Sequence, residues 1–261
     1  MPLNNKPQWY KDLYASVHPD PLARAKVPII EIGKPNDAKY QILVESDVVA
    51  RFVAENWKSQ GEQLVPDNKF AEAKMNLFIG QFMEKLGTTI FSFPATKKPN
   101  AANKAFLKIL YGLQTVEASL KMHGETESGP YFFGKQYSLA ETLTAPFVLR
   151  MNILFKHHRG VDLLDCCEQI GALKTKRWME AIQQRQSSKD SLPAENSLLA
   201  IPPYQQPFFE YSVPHDVQAN AIAKVTKDIV SAKLEEEAAF AKTLKDGSKL
   251  AGYKDGTLSK L

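Results

Sequence analysis

The stretch that most constrains this chain runs from Gly129 to Phe155. It opens on a Gly-Pro-aromatic loop, Gly129 to Tyr137, and enters a helix at Ser138 with Glu141 three residues later. Serine and glutamate at that spacing form a capping box, in which each side chain satisfies a backbone N–H that the first helical turn leaves free. Leu143 to Phe155 is then apolar almost all round. A helix with no wet face must be surrounded by others, so this segment predicts the buried member of a helical domain. The neighbouring periodicity agrees. Asp67 or Asn68 caps a helix striped by Ala71, Met75, Phe78, Phe82 and Leu86. After a loose Pro-Asn loop, a second helix from about Asn100 carries Phe106, Ile109, Leu113 and Leu120 and stops at Gly124, read as a C′ glycine. Gly171 to Gln184, with Leu173 and Trp178, is a further helix, and the Pro- and Tyr-rich residues 192 to 214 read as irregular. A last amphipathic helix begins at about Asp216, with Ile222, Val225, Ile229 and Ala232 on one face. The stretch from Lys245 reads as mobile.

The first fifth has a different character. A helical turn opens at Lys6-Pro7-Gln8-Trp9-Tyr10 and ends by Pro19, ahead of a Pro-broken loop to Lys26. Val27 to Ile32 is β-branched and reads as a strand, and Tyr40 to Val44 as its hairpin partner. Ser46 is expected to cap a helix through about Trp57, with Val48, Val49, Phe52 and Val53 on one face.

Bulk composition excludes several classes. The 33 basic residues are interleaved with 29 acidic ones, leaving a formal charge of +4, without the basic stripe of a nucleic-acid reader. No apolar run approaches the roughly 20 residues of a membrane helix. Residues 1 to 12 lack a basic and apolar leader, so a cytoplasmic location is expected. The two cysteines, Cys166 and Cys167, are adjacent, which suits neither a bridge between them nor a zinc site. Asp162, Asp165 and Glu168 lie beside them and should raise their thiol pKa, so they read as structural. His157 and His158 would face about 100° apart on a helix, so no metal site is read. Arg150, on the buried helix, is expected to pair with an acid of a neighbouring helix.

Three features carry chemistry. Val27-Pro28 starts a strand, and a cis bond there would leave the backbone of Val27 open to an extended ligand. Glu45-Ser46 sits where a strand meets a helix: a helix N-terminus suits a carboxylate, and the Glu45 carboxylate suits an ammonium. Lys6 stands ahead of both and suits a second carboxylate. Together they describe a site for a short extended peptide with a free amino-acid end.

These stretches resemble the glutathione transferase superfamily, most closely its omega-like branch. The resemblance rests on Asn5 to Trp9, Val27-Pro28, Glu45-Ser46, Gly129 to Gly134 with Ser138 to Glu141, Ala145-Pro146-Phe147, Arg150, and Lys176 to Met179. It implies an α+β chain: an incomplete thioredoxin-like segment over residues 1–62, an all-α domain over 66–215, and a C-terminal amphipathic helix and tail over 216–261. It also implies that Lys6, Val27, Glu45 and Ser46 bind glutathione as co-substrate. The expected activity is thiol transfer to a small electrophile or glutathione-dependent reduction of a disulfide or dehydroascorbate-type substrate, by a possible homodimer. No catalytic residue is assigned. The family's Cys, Ser or Tyr lies in a first β-α-β unit, and this chain begins at the Asn-Lys-Pro step that follows such a unit, so its activity is expected to be weak. The alternative is a non-catalytic binding or scaffold protein of the same fold.

Overall fold

The computed structural model describes residues 5–199 and 211–245. Two antiparallel strands, β1 (Ile29–Ile32) and β2 (Gln41–Val44), pair in the register Ile29 with Val44 to Ile32 with Gln41. Helix α1 (Gln8–Ala15) precedes them and α2 (Ser46–Asn56) follows. The hairpin is as expected, though β1 starts two residues late. Pro28 has no N–H to give a ladder, so pairing begins after it.

Two expectations for α2 are corrected. The N-cap is Glu45, Ser46 is the first helical residue, and no side chain caps this end. Val49 and Ala54 are buried, whereas Val48 and Val53 are 43% and 45% exposed. A two-stranded sheet and the edge of one helix cover too little area to bury the whole apolar face.

The helical domain starts at α3 (Lys69–Phe82), and Asn68 is its cap: the side chain accepts from the N–H groups of Phe70 at 2.9 Å and Ala71 at 3.1 Å. The predicted stripe holds, with Met75, Phe78, Phe82 and Leu86 buried, but it runs through a π-helical turn, Met83–Gly87. The expected loop beyond it contains α4 (Thr89–Ala95), which buries Ile90 and Phe93 and carries Pro94 in its last turn. Proline at that point hides the helix from a composition reading. Then come α5 (Pro99–His123), with proline at its first position, and α6 (Leu139–Arg159). Gly124 ends α5 in an extended conformation, φ −87°, and so is not the left-handed C′ residue expected. Shorter helices α7 (Leu163–Gln169), α8 (Leu173–Gln184), α9 (Gln186–Ser191) and α10 (Glu195–Leu199) follow, and α11 (His215–Lys245) closes the chain. Helix α10 replaces part of the segment read as irregular. Residues 200–210 of that segment and the stretch from 246 onward lie outside the described residues.

The core sits between α3, α5, α6 and α8. Trp178 of α8 is fully buried, with Phe78 and Phe82 packed edge-on at 5.5 and 5.9 Å between ring centroids. The capping box of α6 is the polar centre of this core. Ser138 accepts from the N–H of Ala140, and Glu141 accepts from the Ser138 N–H at 3.0 Å and hydroxyl at 2.8 Å. Glu141 reaches further than a cap requires. Its other oxygen accepts from the N–H of Phe132 at 2.7 Å and the indole N–H of Trp178 at 3.0 Å, tying loop, cap and α8 into one network. Burial pushes the Glu141 carboxyl above the ordinary range while these donors pull it back. The loop itself turns on Gly129 and Gly134. A Cβ on Gly129 would fall 2.3 Å from the Gly134 carbonyl carbon, and Gly134 has φ +65°.

Helix α11 docks on α5 through Val225, which is fully buried, and the Tyr111 hydroxyl donates to Asp228. The N-terminal unit joins the helical domain through α2 on α6, the Leu139 N–H to the Leu64 carbonyl at 2.8 Å, and Arg185 to Glu62 at 2.5 Å.

Candidate functional site

The hairpin and α2 bring three of the four candidate binding residues to one end of the sheet. Val44 ends β2 opposite Ile29, so Glu45 and Ser46 leave the ladder where the Val27-Pro28 step enters it. The Val27-Pro28 bond is cis and Val27 lies outside the ladder, 43% exposed. Among the described residues the sheet has two strands, so β1 has one partner and its other edge faces no described strand. Ser46 is exposed. Lys6 is placed elsewhere: half-buried ahead of α1, it lines a cavity of about 610 Å³ with Lys11, Asp12 and Arg24.

Glu45 is the most constrained residue of the group. Its backbone has φ 68° and ψ 124°, a region that side chains with a Cβ rarely adopt. Its carboxylate is held from beneath by α1 and the loop after it. The Tyr14 hydroxyl donates at 2.6 Å, Lys26 Nζ lies 3.3 and 3.4 Å from the two oxygens, and His18 Nε2 lies 3.6 Å away. Tyr14 is 1% exposed, and His18 stacks on its ring at 5.0 Å. The Tyr14 hydrogen bond, assisted by Lys26 and His18, holds the Glu45 carboxyl below the usual carboxylate range. In return, burial and the neighbouring carboxylate push the Tyr14 phenol up to about 12. Glu45 is therefore an anion fixed in place. Beside it the α2 N-terminus offers backbone N–H groups that no side chain caps. A pre-set carboxylate next to uncapped N–H groups matches the ammonium and carboxylate of an amino-acid head.

Tyr14, His18 and Lys26 escaped the sequence reading. Tyr14 lies on α1 and His18 in the loop just after it, and nothing local in the sequence links either to Glu45.

The other reactive groups do not meet this site. Cys166 and Cys167 are 2% and 0% exposed on α7, and burial, ahead of the neighbouring acids, pushes the Cys166 thiol up to about 12. The acids expected to raise it contribute second. No group of three metal-ligating side chains occurs among the described residues. Arg150 does not pair with an acid of another helix: its guanidinium donates to the Pro146 carbonyl of its own helix at 2.8 Å. The arginine buried in the core is Arg159, which the sequence reading passed over. It donates to the carbonyls of Phe93, Pro94 and Thr96 at the end of α4, and to those of His158 and Tyr211.

The two-stranded sheet with a cis-proline edge, joined to a helical domain built on a capped α6, has a glutathione transferase-like fold. No protein-family model matches the chain. It is 26% identical over 161 residues to Glutathione S-transferase L2, chloroplastic, of Arabidopsis thaliana, covering 62% of this chain and 46% of that protein. The chain thus aligns with under half the length of that curated relative. Among solved structures, glutathione transferase Omega 3C from Trametes versicolor superposes with a TM-score of 0.57 at 20% identity, over 76% of this chain and 75% of that one. Omega 2S of the same fungus gives 0.52 at 25% identity, over 76% and 83%. The chain is thus similar in sequence to a glutathione transferase, and its fold resembles that of omega-class members. No described helix is long and apolar enough to cross a membrane.

Proposed function

We propose that the hairpin end binds glutathione. The Glu45 carboxylate takes the γ-glutamyl ammonium, the Ser46 hydroxyl and the α2 N-terminus take the γ-glutamyl carboxylate, and the Val27 backbone pairs with the extended peptide. Lys6, set apart on its own cavity, would reach only the glycine carboxylate at the far end. The observation that carries this reading is Glu45 itself: a residue held at φ 68°, its carboxylate fixed by Tyr14 and kept ionised beside an uncapped helix N-terminus. Structural capping alone needs none of these.

The chemistry proposed is attack of the glutathione thiolate on a small electrophile, forming a thioether, or on a disulfide sulfur, releasing the other thiolate. The thiol proton passes to solvent. Turnover by this polypeptide is proposed to be slow. Both thiols of the chain are buried on α7, and the Tyr14 hydroxyl is committed to the Glu45 carboxylate. The alternative is a binding or scaffold protein that keeps the glutathione site without the turnover. A cytoplasmic homodimer is proposed by resemblance.

Retention on immobilised glutathione tests the reading. Wild-type protein should be retained and eluted by free glutathione, while Glu45→Gln should pass through. Failure of the wild type to bind under native conditions overturns the site, and normal turnover of a standard electrophile overturns the claim of weak activity.

A further inference from the structure

We propose that Ser259-Lys260-Leu261, read with a free carboxylate on Leu261, is a docking motif for the receptor that imports proteins into peroxisomes.

Three chemically different handles meet in these three residues. Ser259 is small, Lys260 carries a cation, and Leu261 sets an apolar side chain beside the terminal carboxylate. A receptor that captures a chain end closes backbone N–H groups on the carboxylate and seats the side chains next to it. Ser-Lys-Leu in that position is a receptor-read address for the peroxisome and not a membrane anchor.

The sequence carries its own comparison. The same tripeptide occurs at Ser248-Lys249-Leu250, directly after Lys245-Asp246-Gly247. The second copy follows another Lys-Asp-Gly step, Lys254-Asp255-Gly256, after Thr257 and Leu258. The side chains of the two copies are identical. The first continues through a peptide bond into Ala251, so it offers a neutral carbonyl where the receptor needs an anion.

The fold is anchored before this motif is reached. Ile229 is the last described residue of α11 packed against the core, Val230 and Leu234 are 51% and 59% exposed, and residues 231–236 are exposed throughout. The helix runs on to Lys245, roughly 24 Å past Ile229 at 1.5 Å per residue. Gly247, Gly252 and Gly256, set among lysines and aspartates, then give the composition of a linker. Helix α11 docks on α5, whereas the α/β part joins through α2 on α6, so a receptor on the chain end leaves the hairpin end uncovered. The address therefore stands independently of the glutathione reading. The cytoplasm is where the chain is made and meets its receptor, and the peroxisome is its destination.

The test uses the full chain with a fluorescent protein fused ahead of Met1, expressed beside a peroxisomal marker. The untagged full chain is also titrated against the purified import receptor. Wild type should co-localise with the marker and bind the receptor one-to-one. Deleting Leu261, or adding one glycine after it, should leave the chain in the cytoplasm. Either change should weaken receptor binding at least about tenfold, the size of one hydrogen bond to a charged group. A chain ended at Leu250 should be imported, because Ser248-Lys249-Leu250 then holds the carboxylate, and one ended at Leu258 should not. Every form should keep the wild-type melting temperature and the wild-type response to immobilised glutathione. Mass spectrometry of the protein from its natural source should find Leu261 as the last residue. A longer natural chain, import that survives loss of Leu261, cytoplasmic retention of the chain ended at Leu250, or a wild type spread through the cytoplasm overturns the proposal. So does a deletion of Leu261 that lowers the melting temperature and leaves receptor binding unchanged, since the chain end would then be a packing segment.

Discussion

At the scale of single residues, Glu45 shows how a binding group is held ready. A non-glycine residue at φ 68° costs on the order of 1–3 kcal/mol and persists only where its surroundings fix it. Here those surroundings are Tyr14, Lys26 and His18. Glu45→Gln keeps the shape and removes the charge, so glutathione affinity should fall roughly tenfold to a hundredfold, the range for a charged hydrogen bond. Titration calorimetry measures it directly, and an unchanged affinity would remove Glu45 from the site. Tyr14→Phe tests the support. Glu45 has a depressed folded pKa, so its contribution is present above the unfolded carboxylate value and is lost as pH falls through the folded value. Deleting the Tyr14 hydroxyl removes the main cause of that depression. The acid limb of both binding and stability should therefore move to higher pH in Tyr14→Phe, and an unmoved limb would show that Lys26 and His18 suffice.

At the scale of elements, what was legible in the sequence was what is decided locally. The α6 capping box is written in two residues three apart, and the α3 stripe in a repeat of three and four. Both survive in the fold, the stripe even across a π-helical turn. Glu141 binding Trp178 was not legible, because it depends on where α8 lands 37 residues later. Helix α4 was missed for a related reason. Its last turn carries Pro94, and its final carbonyls are satisfied by Arg159, a residue more than 60 positions away. A helix end needs partners for its carbonyls, and a cation is favoured there by the dipole. Burial lowers the Arg159 pKa, yet carbonyl oxygens surround the group. Arg159→Met should destabilise the chain by about 3 kcal/mol or more, since it leaves several buried acceptors without donors. Urea unfolding followed by circular dichroism reads this out. A loss below about 1 kcal/mol would mean that water replaces the guanidinium and that α4 does not depend on it. In the α/β part the residue types placed the hairpin and α2, but the positive φ of Glu45 left no mark in composition.

At the scale of the whole molecule, the two parts are unequally secured. The helical domain shares one continuous core from Val65 to Val225, which α2 joins through Ala54, whereas the rest of the α/β part buries chiefly Tyr10, Tyr14 and Val49 outside it. A two-stranded sheet is marginal by itself. Segments with few buried contacts open at lower free energy than the core they attach to. The proposed glutathione site is built on that weaker part, so ligand binding and local order must be linked. A ligand that binds only the closed form stabilises it by RT ln(1 + [L]/Kd), about 2.7 kcal/mol at a hundred times Kd, which is roughly a hundredfold in protection. Native-state hydrogen exchange should therefore show the amides of β1, β2 and α1 exchanging faster than those of α5 and α6 in free protein. With glutathione at a hundred times Kd, the hairpin and α1 amides should slow toward that factor, while those of α5 stay as they were, because their exchange already reports a separate opening. Uniform slowing in both parts would show that they open as one unit. No slowing anywhere would leave Glu45 with a structural role alone.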